Sequence, residues 1–204
     1  MKKRVFLAVA AMAAAAAFTS CAEAPQPAPS KEPAAAKKEP PAPEGPVAAQ
    51  TAFYEMYKPA RAWAPDLLPL SLISGEVKGT ANDGGKAAMW TAVFVSPSRR
   101  EARTFVWAVG KGVSQAGAES WSGATPKSRP FQITEFVVNS DAAYKTAAEK
   151  AAAWLKTHPG KTASLSLAST ARLQAPVWYV MWGTPKSGYL AFVNATTGTP
   201  VTGR

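Results

Sequence analysis

Histidine and cysteine are almost missing from this chain. There is one of each in 204 residues, His158 and Cys21. A single cysteine excludes an internal disulfide. HExxH and CxxC motifs and an Asp-rich calcium loop are also absent, so no metal site is expected. Acid–base and nucleophilic catalysis draw on His, Cys or paired carboxylates. His158 precedes Pro159 and Gly160, so it reads as an exposed side chain in a helix-ending turn. Acidic residues are sparse, 13 against 23 basic ones, and those beyond residue 46 share no catalytic motif. A carboxylate pair assembled in space, as in a glycosidase, stays open. Residues 79–86 superficially resemble a phosphate loop. The glycine spacing is wrong, however, and Ala87 stands where Ser or Thr is required. The expectation is therefore no enzyme and no cofactor. Long apolar runs are scarce too. The one present, Val5 to Phe18, has fourteen residues. That is too short for a spanning helix, which needs ~20.

That run has the length of a signal-peptide core, and Lys2, Lys3 and Arg4 give it a positive leading end. Phe18-Thr19-Ser20-Cys21 resembles the lipobox of bacterial lipoprotein signal peptides. The resemblance implies that residues 1–20 are removed and that Cys21 becomes the lipidated N-terminus. Several acyl chains at one end give stable anchoring where a single chain is marginal. Ala22, in place of Asp, favours the outer membrane over the inner, with the protein facing the periplasm. Residues 21–46 then read as a disordered tether. Eight of the eighteen prolines fall between Ala24 and Pro46, separated mainly by Ala, Lys and Glu. Such a segment has nothing to bury, and its prolines favour an extended polyproline II spacer of up to roughly 70 Å.

Residues 47–204 hold all seven tryptophans and enough chain for a real core. An internal similarity runs through them. Trp90 and Pro97 recur as Trp178 and Pro185 at an offset of 88, and Phe105-Val106 recurs as Phe192-Val193 at an offset of 87. Each copy reads as strand, Pro-containing turn, strand, with a helix upstream. The first helix candidate, residues 48–63, puts Phe53, Met56, Ala60 and Trp63 on one face. Pro59 should kink or restart it. The second, residues 141–157, puts Tyr144, Ala147, Ala148, Ala151 and Leu155 on one face, with Ser140 or Asp141 as cap. Trp90, Ala92 and Phe94 alternate with Thr91, Val93 and Val95. Both rows are largely apolar, so both faces of such a strand are expected to be covered.

These patterns predict an α+β fold: two tandem helix-plus-antiparallel-sheet repeats packed as one globular body. The first spans residues 47–112, a connecting loop and strand 113–139, and the second 140–204. The second unit resembles a PepSY-type, cystatin-like module. The resemblance is carried by the alanine-rich helix, a strand near residues 163–171, Trp178-Tyr179-Val180, the Lys186-Ser187-Gly188 turn, and Phe192-Val193-Asn194-Ala195-Thr196-Thr197-Gly198. It implies a module of exported proteins that binds or restrains peptidases.

Residues 47–204 carry 17 basic and 9 acidic residues. Arg99, Arg100 and Arg103 cluster at the first hairpin, and Lys127 and Arg129 follow Trp121. Trp121, in a polar stretch, is a candidate contact residue or packs the loop onto the body. Together these six form the candidate binding surface. The expected partners are the membrane, through the N-terminal lipid, and either an envelope protein or peptide or an anionic envelope polymer. Export argues against nucleic acid. Replacing Cys21 with Ala is expected to abolish incorporation of a clickable palmitate analogue and to release the chain from the membrane fraction. A variant that keeps both label and membrane association excludes Cys21 as the anchor.

Overall fold

The computed structural model describes residues 43–202. The expected signal peptide, Cys21 and most of the proline-rich stretch lie outside the described residues. In chain order the elements are α1 (Ala49–Trp63), β1 (Leu68–Gly75), β2 (Met89–Ser96), β3 (Glu101–Ala108), β4 (Gly112–Ser120), a short 3-10 turn (Ile133–Glu135), α2 (Ser140–Thr157), β5 (Ala163–Thr170), β6 (Leu173–Trp182) and β7 (Tyr189–Asn194). All seven strands join one antiparallel sheet in the order β4-β3-β2-β1-β5-β6-β7.

This overturns the expectation of two tandem helix-plus-sheet repeats. The molecule is a single seven-stranded sheet with two helices, and no boundary separates two bodies. The junction is the pairing of Ser71, Leu72 and Ile73 in β1 with Ala168, Leu167 and Ser166 in β5. A small sheet has two edges of unpaired backbone groups and little core of its own. Joining β1 to β5 removes one edge from each half and merges their apolar faces. Leu72 and Leu167 meet there with no exposed surface.

The helices cover one face only. Trp90, Ala92 and Phe94 of β2, and Trp178, Val180 and Trp182 of β6, are fully buried beneath them. Phe53 of α1 contacts Phe94 at 5.4 Å between ring centroids, and Tyr144 of α2 contacts Trp182 at 5.6 Å. The opposite face carries no helix and is covered only in part, contrary to the expectation of cover on both sides: Val95, Ala102 and Val177 are buried there, but the middle of the face is not. Thr91 and Val93 are only half-buried there, and Ile73 keeps 47% of its surface exposed.

The helix faces fall where their periodicity puts them. Phe53, Met56, Ala60 and Trp63 are buried on α1, and Ala143, Ala147 and Ala151 on α2. Pro59 does not break α1, which runs unbroken to Trp63. It sits on the exposed side, where water can satisfy the carbonyl that proline leaves without a donor. The cap of α2 is Asn139, whose side chain accepts from the Ser140 N–H. Ser140 is the first helical residue and does something else. Its Oγ accepts the Ala49 N–H at 2.8 Å, while Asn139 Oδ1 accepts the Gln50 N–H at 3.0 Å. α1 has no side-chain cap of its own. The start of α2 therefore satisfies the orphan N–H groups of α1. Two indoles fix the same region. Trp90 Nε1 donates to the Val47 carbonyl and Trp178 Nε1 to the Val138 carbonyl, and the two rings meet at 6.3 Å.

The two sheet edges differ. Along β7, the segment after the final turn folds back: Asn194 donates to Thr199 and Val201 donates to Phe192. β4 carries no such cover, and a bulge interrupts its register opposite Thr104 and Phe105.

Gly85 sits at φ +82°, where a Cβ would lie 2.4 Å from the Ser140 carbonyl oxygen. Gly84 has φ +55° but open space around it. Gly85→Ala is expected to cost about 2–3 kcal/mol, and Gly84→Ala distinctly less. Chemical denaturation of both variants checks this, and equal losses would mean that the close approach to α2 is not the cause.

Candidate functional site

The sheet's alternation decides what the uncovered face offers. Cross-strand partners share a face, so one row can be followed strand by strand: Val106, Thr91, Ile73, Ser166, Tyr179, Phe192. Tyr179 and Phe192 meet edge to face at 5.2 Å. Met181 and Leu190 pair beside them, and Leu190 is 44% exposed. This half of the face lies on β5 to β7.

A cavity of about 460 Å³ opens at one end of that half. Its walls are Leu173, Tyr179, Phe192, Val201 and Pro126, with Thr170 beside them. Lys127 and Arg172 also line it, and among the described residues no carboxylate does. Two backbone hydrogen bonds build it. Arg129 donates to the Ser169 carbonyl at 2.9 Å, and Ala171 donates to the Pro126 carbonyl at 3.0 Å. They clip the segment after β4 against the β5–β6 hairpin, which brings Lys127 next to Arg172. Burial pushes the Tyr179 phenol up from its ordinary value.

The sequence-predicted residues collect at this same end of the sheet but divide into two groups. Arg99 and Arg100 are exposed on the β2–β3 turn. Trp121 follows β4 directly and donates its backbone N–H to the Arg100 carbonyl at 2.9 Å. Residues 112–120 of the stretch expected as loop form strand β4, and the Trp121 side chain is half-buried. Arg103 is already engaged: its guanidinium lies 4.7 Å from the Trp63 ring centre, and Nε bonds Glu101 at 2.7 Å. Lys127 and Arg129 form the second group, beside the cavity. Sequence reasoning missed Arg172, Leu173, Tyr179 and Phe192. The signal for the last two lay in the alternation: each occupies the strand position opposite in parity to a fully buried neighbour, Trp178 or Val193.

His158 is the C-cap of α2. Its ring stacks on Trp154 at 4.0 Å, and Nδ1 lies 3.0 Å from the Trp154 carbonyl oxygen. The Asn194 side chain accepts from the Thr196 and Thr197 N–H groups and so builds the final turn. The polar cleft at the other end of the sheet involves Asn82. That side chain is committed to the fold, donating to the Gly75 carbonyl and accepting from Ala88. Among the described residues no group of three or more His, Cys, Asp or Glu is placed to hold a metal ion. Nor is any described helix long and apolar enough to cross a membrane.

No family model matches the sequence, so the PepSY-like resemblance rests on the quoted residues alone. No curated protein matches it either. Among solved structures, a provisionally assigned lipoprotein from Clostridium difficile 630 superposes with a TM-score of 0.46 at 12% identity, covering 78% of this chain and 91% of the other.

Asp66 sets the shape of the arginine turn. Its carboxylate accepts the Ser96 hydroxyl at 2.7 Å and the Ser98 N–H at 2.8 Å. These bonds favour the charged form and hold its pKa at about 2, below the usual 3.8. A carboxylate with a lowered folded-state pKa stabilises above its unfolded pKa and loses that contribution as pH falls through the folded value. Asp66→Asn is therefore expected to melt below the parent by a constant margin above pH ~4, closing between pH ~4 and ~2. Thermal melts across that range decide it, and a margin unchanged at pH 2 would show that the charge is not what holds the turn.

Proposed function

We propose that this chain is a lipid-anchored envelope protein, acylated at Cys21 and facing the periplasm from the outer membrane. Its globular body is a non-catalytic binding module for a protein or peptide. The observation that carries the reading is the sheet face without a helix, where Ile73 is 47% exposed and the row leads past Ser166 to the Tyr179–Phe192 pair, with Leu190 44% exposed beside it. Contiguous apolar surface rimmed by polar residues marks interaction sites on soluble bodies. The basic end, with Arg99, Arg100, Lys127, Arg129 and Arg172, suits a partner with an acidic margin. The same charges favour a second reading, a structural envelope protein that touches anionic glycan or lipid.

A photo-crosslinking residue at Ile73, with one at Tyr54 on the outer side of α1 as control, separates the two in cells. The binding-module reading expects one dominant protein captured from Ile73 and not from Tyr54. That capture persists at high salt, because apolar contact is not screened as exposed charge is. Salt-sensitive capture of glycan or lipid alone would overturn it and favour the structural role.

A further inference from the structure

We propose that the cavity at the basic end of the open face binds a single-chain fatty acid, its hydrocarbon on Leu173, Tyr179 and Phe192 and its carboxylate on Lys127 and Arg172. The proposal rests on the reading of the open face as a binding surface, since Tyr179 and Phe192 belong to both.

The chemistry of the lining selects the ligand. Its volume, about 460 Å³, falls within the ~300–1,000 Å³ of cavities that enclose small molecules. The walls are mostly hydrocarbon and aromatic ring, and the polar groups are the Thr170 and Tyr179 hydroxyls and the two cations. Neither Lys127 nor Arg172 has an ion-pair partner among the described residues, and both are exposed. A sugar would bring many hydroxyls to walls that cannot bond them. A peptide would bring amides. The cavity lies on the face of β5, β6 and β7, whose backbone groups are committed to the sheet ladder, so those amides would be buried unpaired at real cost. A bare inorganic anion would use the cations and leave the apolar walls wet. An alkyl chain ending in one carboxylate brings a single polar group, which the two cations receive, and Arg172 offers the planar fork that carboxylates prefer.

The test uses the full acylated chain in nanodiscs of zwitterionic lipid, with a diazirine-bearing dodecanoate as probe and mass spectrometry to map the labelled residues. Label is expected to concentrate on Leu173, Tyr179 and Phe192. Unlabelled dodecanoate should compete it away, and dodecanol should compete about tenfold less well, reflecting the loss of charged hydrogen bonds. The double variant Lys127→Ala/Arg172→Ala should lower labelling there about tenfold for the same reason. Lys145→Ala/Lys156→Ala, which removes equal charge from the exposed side of α2, should leave it unchanged. Label spread evenly over the body, equal competition by dodecanol, or equal loss in both double variants would overturn the proposal. An unlabelled cavity alongside continued protein capture from Ile73 would end the fatty-acid proposal and leave the binding module standing. Failure of both would end both.

Discussion

Residues 49 and 140 are far apart in the chain, yet the Ala49 N–H is bonded to the Ser140 hydroxyl inside the protein. A helix start exposes N–H groups that need acceptors, and Ala48 at the cap position of α1 supplies no side-chain acceptor. Asn139 and Ser140 take over that duty while opening α2. Gln50 returns the contact by donating its side-chain amide to the Phe136 and Val137 carbonyls. The start of α1 is not complete without that of α2, so both helices lie on one side of the sheet. The Trp90 and Trp178 indoles reach the same region from below, each bonded to a carbonyl just ahead of a helix. The open face follows from this arrangement: two helices committed to one side leave none for the other.

Much of the local structure was legible before any coordinates. The alanine-rich helix declared its buried face by spacing, and Trp90, Trp107, Trp178 and Trp182 are core because aromatic residues on apolar strands have few other places to go. The β1–β5 pairing was not legible. It uses Ser71, Leu72 and Ile73 against Ser166, Leu167 and Ala168, small or aliphatic residues that name no partner. Two similar halves invited a reading as two bodies, when each half has a spare edge that the other completes. β4 was hidden differently. Gly112-Val113-Ser114-Gln115-Ala116-Gly117-Ala118 has the composition of a loop, and the free edge of β3 overrides that preference.

The site was half visible for a similar reason. Lys127 and Arg129 stand out as charges near Trp121. Arg172 stands out only once the hairpin tip of β5 and β6 is clipped against Pro126. Tyr179 and Phe192 were hidden by an assumption of two-sided cover, which an apolar sequence row supports and a helix count does not. The acidic groups nearby strengthen the asymmetry rather than cancel it. Asp66 is turned into the β2–β3 corner and Glu101 is taken up by Arg103. The cations at the cavity therefore act on their surroundings with little local opposition.

The unequal edges limit how copies can associate. A sheet that grows by strand addition needs two receptive sides, one to join and one to extend from. Here the β7 side is occupied over Phe192 to Asn194 by the chain's own returning segment, and the β4 side is free but bulged. Among the described residues, two copies meeting through β4 would use up the one edge each has open over a whole strand. Strand-to-strand association of these strands then favours a pair over a fibre.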